Sequence, residues 1–199
     1  MNLHEQNITV FDCEIQNEVD GKIIGWKNYD KMGHAVSASY NFKSGNYKIY
    51  FNDNLDELAD DLHSSDLVTG FNIKGFDIPL LNGTAELIKK ISLDEKKIYD
   101  MLEESRKSVG NFFAKGLKLD NHLESMFGAG GMKSGHGANA PKLWQDKKLG
   151  SLCSYVLRDV NREKALFEHI WQHGWVNTAM HGQKQVKKPQ DQLTFQLGF

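Results

Sequence analysis

Asp12 and Glu14 are separated by one residue at the end of an apolar stretch, Ile8-Thr9-Val10-Phe11. Two carboxylates projected to the same side repel one another. Either one of them takes up a proton or a cation sits between them. Hard oxygen ligands of this kind suit Mg²⁺ or Mn²⁺. Two further segments lead into acids. Asn72-Ile73-Lys74-Gly75-Phe76 runs into Asp77, and Tyr155-Val156-Leu157-Arg158 runs into Asp159. An Asp-x-Glu pair alone is as easily a cap or a solvated strand edge, so its meaning depends on the elements that carry it.

Ile8, Val10 and Phe11 are β-branched or aromatic and predict a strand. Residues i and i+2 of a strand share a face, so Asp12 and Glu14 project together. A hairpin around Asp20-Gly21 is expected next, with Ile23, Ile24 and Trp26 on its returning arm. His34 to Phe42 and Asn46 to Phe51 predict a second and a third strand, antiparallel through Ser44-Gly45. Leu55, Leu58, Ala59 and Leu62 mark a helix, capped by Asp53 or Asn54. Asp66 to Phe71 predicts a buried fourth strand, and the order strand, helix, strand implies a parallel crossover. A helix from Phe76 towards Lys90, interrupted at Asn82-Gly83, and a fifth strand over Lys97 to Met101 follow. Asp100 in that strand is a cap or a further acid.

Leu119 to Phe127 predicts another helix. Gly128, Gly130, Gly131, Gly135 and Gly137 make the stretch to Pro141 a mobile loop, which also holds Lys133 and His136. Apolar residues at three- and four-residue steps from Leu149 to Trp171 predict one long amphipathic helix. Tyr155 and Asp159 lie one turn apart on it and face one site. Residues 177–199, rich in Gln and Lys, are expected to form a polar tail outside the main core.

Composition excludes little. Charged residues are 25% and apolar residues 40% of 199, which suits one soluble domain with a sizeable core. Cys13 and Cys153 make no disulfide framework, and a reducing, cytoplasmic setting is expected. Met1 to Asn7 is polar and predicts no signal peptide, and no apolar run approaches membrane-spanning length. A formal net charge of −2 does not advertise a nucleic-acid binder. Basic residues must therefore be judged by location. Lys142, Trp144, Lys147, Lys148, Arg158 and Arg162 flank the last acid. They suit a single strand led to a site, or else a solvated helix entrance.

Taken in order, Asp12, Glu14, Asp77 and Asp159 with Tyr155 resemble the DEDD exonucleases of the RNase H-like superfamily, which include the proofreading domains of DNA polymerases. Tyr155, four residues before Asp159, matches the tyrosine branch. The histidine branch would place its residue at position 154, which is Ser154. The resemblance spans Ile8 to about Trp175. It implies an α/β, RNase H-like mixed sheet of about five strands with helices on both faces, over residues 1–176.

The resemblance also implies a metal-dependent 3′–5′ exonuclease acting on single-stranded 3′ ends, with DNA favoured and RNA also open, and with two Mg²⁺ or Mn²⁺ ions. Asp12 would bridge both ions. Glu14 and Asp159 would hold the ion carrying the attacking water, Asp77 would support the second, and Tyr155 would orient the water. Asn72 and Phe76 match the family's second motif, whose residues line the cleft, although Phe76 is as well suited to helix packing. Two other readings compete. One is a non-catalytic RNase H-like module that binds nucleic acid or a protein. The other is a nuclease for short oligonucleotides. Gln190-Asp191-Gln192-Leu193-Thr194-Phe195 resembles the short peptides that dock on bacterial sliding clamps, with Leu193 and Phe195 filling a pocket, although polar tails give such patterns by chance and the tail could equally fold back as an edge strand.

Overall fold

The structure, a computed structural model, describes residues 1–18, 27–128 and 140–197, the last three as backbone only. Five strands form one mixed sheet: β1 (Ile8–Ile15), β2 (His34–Asn41), β3 (Asn46–Tyr50), β4 (Leu67–Gly70) and β5 (Ile98–Asp100). Their spatial order is β3-β2-β1-β4-β5. β1 is central, antiparallel to β2 and parallel to β4. β2 and β3 are antiparallel, and β4 and β5 parallel. This is the α/β, RNase H-like arrangement anticipated from the sequence.

Helices cover both faces of the sheet: α1 (Tyr29–Met32), α2 (Leu55–Ser64), α3 (Asp77–Gly83), α4 (Met101–Val109), α5 (Leu119–Phe127), α6 (Ala140–Gln145) and α7 (Leu149–His173). The two-residue period of β1 divides its side chains between two cores. Ile8 and Val10 pack with Val156, Val160 and Phe167 of α7. Phe11 and Cys13 pack with Leu58 and Leu62 of α2 and Leu80 of α3. Each such side chain, fully buried, contributes about 1.5–3 kcal/mol. Asp12 and Glu14 continue the Ile8–Val10 face, so the strand's own periodicity aims them at α7. Among the described residues no helix is long and apolar enough to cross a membrane.

Three expectations are corrected. The helix after Asp77 stops at Gly83, not near Lys90. Asn82 explains the stop: its carboxamide donates to the Ile91 carbonyl at 2.9 Å and accepts from the Ile91 N–H at 2.8 Å. The chain from Thr84 onward is thereby folded back, and it buries Leu87 and Ile91 without being helical.

The segment after position 176 does not stand apart from the core. It forms β6 (Trp175–Thr178), β7 (Gly182–Gln185) and α8 (Pro189–Leu197). Leu193 is 1% exposed inside the main cluster. The polar residues of the segment bond to backbone carbonyls of the body. Gln190 Nε2 donates to Trp171 at 2.7 Å, and Gln192 Nε2 to Lys96 at 2.6 Å and Ile98 at 3.0 Å. The expected clamp-docking peptide therefore has its central leucine already buried in this protein. The Phe195 side chain, the hairpin turn at Asp20-Gly21 and residues 129–139 of the glycine-rich stretch, with Lys133 and His136, lie outside the described residues.

Leu193→Ala should lower unfolding stability by about 2–5 kcal/mol, read from urea denaturation, because it empties a buried leucine site. An unchanged midpoint would return the segment to the status of a free tail.

Candidate metal centre

β1 outruns β4. Their pairing ends at Val10 opposite Thr69, and β4 itself ends at Gly70. Beyond that register the Cys13 N–H has no strand partner on the β4 side. Asp77 Oδ1 accepts it at 3.0 Å. Asp77 is the first residue of α3 and is 2% exposed.

The turn that delivers Asp77 is fixed from below by Asp100. Asp100 caps α4 by accepting from Leu102 and Glu103 at 3.0 and 3.1 Å. Its carboxylate also accepts the Asn72 N–H at 3.1 Å and the Lys74 N–H at 3.0 Å. Asp100 is thus the cap of the two roles open to it. Asn72 adopts a left-handed backbone, φ 73°, and its carbonyl accepts from Gly75 and Phe76. A β-carbon on Gly75 would sit 2.6 Å from Asn72 Oδ1, so the glycine makes room for that carboxamide.

α7 supplies the opposite wall. Tyr155 and Asp159 point at the acids of β1. Oxygens of Asp12, Glu14 and Asp159 all lie within 4.8 Å of one another. Asp77 is not one of these three; it acts on Asp12 and Glu14 through its charge. The Tyr155 hydroxyl bonds to Asp159, and burial followed by the charges of Asp159 and Glu14 holds the phenol firmly protonated. Arg162 Nη1 donates to Asp159 Oδ1 at 2.8 Å, and Nη2 pairs with Asp120. This corrects the expectation that Arg162 guides a strand, since its guanidinium faces the acids and is 9% exposed.

The other expected binding residues occupy different settings. Asn72 is half-buried beside Asp77. Phe76 packs against the α2–α3 core, its ring 6.4 Å from that of Tyr29, edge-on. Trp144 packs partly on the α7 core, Lys142 is exposed, and exposed Arg158 carries its guanidinium 5.8 Å over the Tyr155 ring.

One acid escaped the sequence reading. Glu163 on α7 is 3% exposed, and its Oε2 has no hydrogen-bond partner. Its field is the largest of the neighbouring charges on Asp12. Gly70 passes beneath it: a β-carbon there would meet Phe11 O at 2.8 Å and Glu163 Oε2 at 3.2 Å. The available signal was spacing. Tyr155, Asp159 and Glu163 fall at i, i+4 and i+8, one stripe of one helix.

Burial is the leading cause that pushes Asp12, Glu14 and Glu163 well above the usual carboxylate range, with mutual repulsion behind it. Asp77 is held up at about 7 by burial, against the lowering effect of the Cys13 N–H and its own N–H. A set of hard oxygen donors this close, with one buried oxygen unpaired, fits a divalent cation of the Mg²⁺ or Mn²⁺ type.

No protein-family model matches this sequence, and no curated protein matches it. Among solved structures, the chain is similar to the family B DNA polymerase from the hyperthermophilic archaeon Pyrobaculum calidifontis. The TM-score is 0.57 at 17% identity over 83% of this chain. The match covers 24% of the polymerase chain, so this chain spans about a quarter of it. The likeness is one of fold.

These carboxyls bind protons more tightly folded than unfolded. Without metal, the native state therefore holds more protons between about pH 4 and the Asp77 value of about 7, and stability falls as pH rises through that window. The melting temperature of the metal-free protein should be higher near about pH 5 than near about pH 8. Mn²⁺ should raise it at the higher pH and do little at the lower. A metal-free melting temperature that rises with pH would contradict this account of the acids.

Proposed function

We propose that this protein is a metal-dependent 3′–5′ exonuclease that hydrolyses phosphodiester bonds at single-stranded 3′ ends, DNA in preference to RNA. The observation that carries the reading is the meeting of Asp12, Glu14 and Asp159 from two elements within 4.8 Å, with the Tyr155 hydroxyl on Asp159. The likeness in fold to a DNA polymerase supports a role on nucleic acid.

Asp12, Glu14 and Asp159 would hold divalent metal, and Asp77 would support a second position next to Asp12. When bound, Mg²⁺ or Mn²⁺ supplies an activated water and offsets charge on the phosphate. The chain's own groups do the rest. Tyr155 remains a phenol whose one proton goes to Asp159, so its oxygen would accept from a water and orient it without removing a proton. Arg162 fixes the rotamer of Asp159. Asn72 and Phe76 would line the cleft at a terminal nucleotide. Lys142, Trp144 and Arg158 border the α7 side, where exposed cations meet phosphates.

Asp12→Asn should abolish Mn²⁺-dependent release of mononucleotides from a 5′-labelled single strand, a loss of at least about a hundredfold, while the protein melts no lower than wild type without metal. Tyr155→Phe should lose about tenfold to a hundredfold, because only a hydrogen bond goes. Full activity in Asp12→Asn would overturn the reading. Rates that persist as the substrate is cut to a dinucleotide would assign short oligonucleotides instead. A folded wild type that binds a strand but never cleaves it would be the non-catalytic module.

A further inference from the structure

The connection between α4 and α5 displays two adjacent aromatic rings to solvent. Phe113 is 94% exposed and Phe112 is 56% exposed. Met180, 64% exposed, lies against Gly116 of the same connection. Large exposed apolar groups gathered at one place mark a contact surface.

The connection is firmly built. Gly110 closes α4 in the left-handed conformation, its N–H directed to Arg106 and Lys107. Asn111 accepts the Phe113 N–H on Oδ1 at 2.8 Å and the Ala114 N–H on its carbonyl at 3.1 Å. The His181 ring bonds to the Lys115 carbonyl at 2.7 Å. Leu117 anchors the far end, 5% exposed. The backbone is thus fixed while the rings stand out, which is the pre-organisation a stacking surface needs.

Charge and place select the partner. Ser105 to Leu119 contains Arg106, Lys107, Lys115 and Lys118 and no acid, in a chain of net charge −2. Lys107 is engaged with Glu103 and Glu104, while Lys115 and Lys118, two and five residues after Phe113, are exposed. The connection runs straight into α5, where Asp120 pairs with Arg162, which in turn donates to Asp159. His122, on the next half-turn, lies 6.0 Å from the ring of Phe71, the neighbour of Asn72. Phe113 is therefore at most about 25 Å from Asp120 along the chain. Aromatic faces with interleaved cations on the segment that leads into α5 and Asp120 fit a single strand: bases stack on rings, and phosphates meet lysines.

We propose that Phe112 and Phe113, with Lys115 and Lys118, form a stacking platform for single-stranded nucleic acid, holding the strand upstream of the 3′ end at the metal centre. The platform rests on the exonuclease reading for the position of that end.

The test is fluorescence anisotropy with a fluorescein-labelled fifteen-nucleotide oligo-dT, in EDTA so that nothing is cleaved. The double variant Phe112→Ala, Phe113→Ala should raise Kd about ten- to a hundredfold with an unchanged melting temperature. Lys115→Ala with Lys118→Ala should reduce the slope of log K on log salt by about 1.4. An unchanged Kd in the aromatic variant, with binding by the wild type, overturns the platform and leaves the nuclease reading intact. A wild type that binds no oligonucleotide also overturns the platform, while the nuclease reading stands or falls on Mn²⁺-dependent cleavage by the wild type. If the aromatic variant instead turns a dimer into a monomer in sedimentation without altering Kd, the patch is a self-association face and the platform is wrong.

Discussion

Carboxylates are held here closer than their charges favour. Asp12, Glu14 and Asp159 present oxygens within 4.8 Å of each other. Two full charges at that range repel by about 3–4 kcal/mol at an effective dielectric of about 20. Buried Glu163 adds to this. The packing around the centre is what resists. β1 is paired on both sides, and α7 lies across it with Leu152, Val156, Val160, Phe167 and Ile170 all buried. Neither element can retreat without opening the main core. The repulsion therefore has two outlets, protons or a cation, and both are sensed by the same groups.

The contrast between Asp100 and Glu163 shows how the same side chain chemistry is put to different ends. Asp100 is buried, yet backbone N–H groups of two turns converge on it, and each favours its charged form. It is a cap, and its product is geometry: the left-handed turn at Asn72 and the entry of α3 that sets Asp77 against Cys13. Glu163 is just as buried but has an oxygen with no donor. A buried acceptor left open costs free energy that a cap does not. That imbalance sits directly behind Asp12, the residue on which the charges of all the other acids act.

Much of this was legible in the residues. Alternation in Ile8 to Glu14 put the acid pair on one face, and the stripe on α7 put Tyr155 and Asp159 on the facing wall. One hairpin and one parallel crossover were expected and are present, while the strand order around β1 came from the structure. Other features were hidden for physical reasons. An acid on an amphipathic helix reads as solvated unless the depth of the helix is known, so Glu163 was missed. Arg162 read as a surface cation because its second partner, Asp120, lies 42 residues away on α5, and its i,i+3 spacing to Asp159 says nothing of burial. The helix at Asp77 was drawn too long because its end depends on Asn82 reaching Ile91, a tertiary contact. The segment after position 176 was judged by its glutamines. Those glutamines serve backbone carbonyls of Trp171, Lys96 and Ile98, and one leucine is enough to anchor α8.

Net charge was the least informative quantity, and the structure shows why. Five acids, Asp12, Glu14, Asp77, Asp159 and Glu163, share a pit between β1, α3 and α7, where burial and proximity push proton affinities up. Exposed cations lie outside it: Lys142, Lys147 and Arg158 on one side, Lys115 and Lys118 on the approach to α5. The sum of −2 adds both groups to exposed acids elsewhere, among them Glu57, Asp60 and Asp94, and so reports neither place. Exposed charges are screened beyond about 8–10 Å while buried ones are screened far less. A polyanion that reaches Asp12 comes under the field of the buried acids. There, protons or a divalent ion must already have reduced that field. The same arrangement that makes the metal-free centre unstable at high pH thus also makes entry of an anionic strand conditional on its neutralisation.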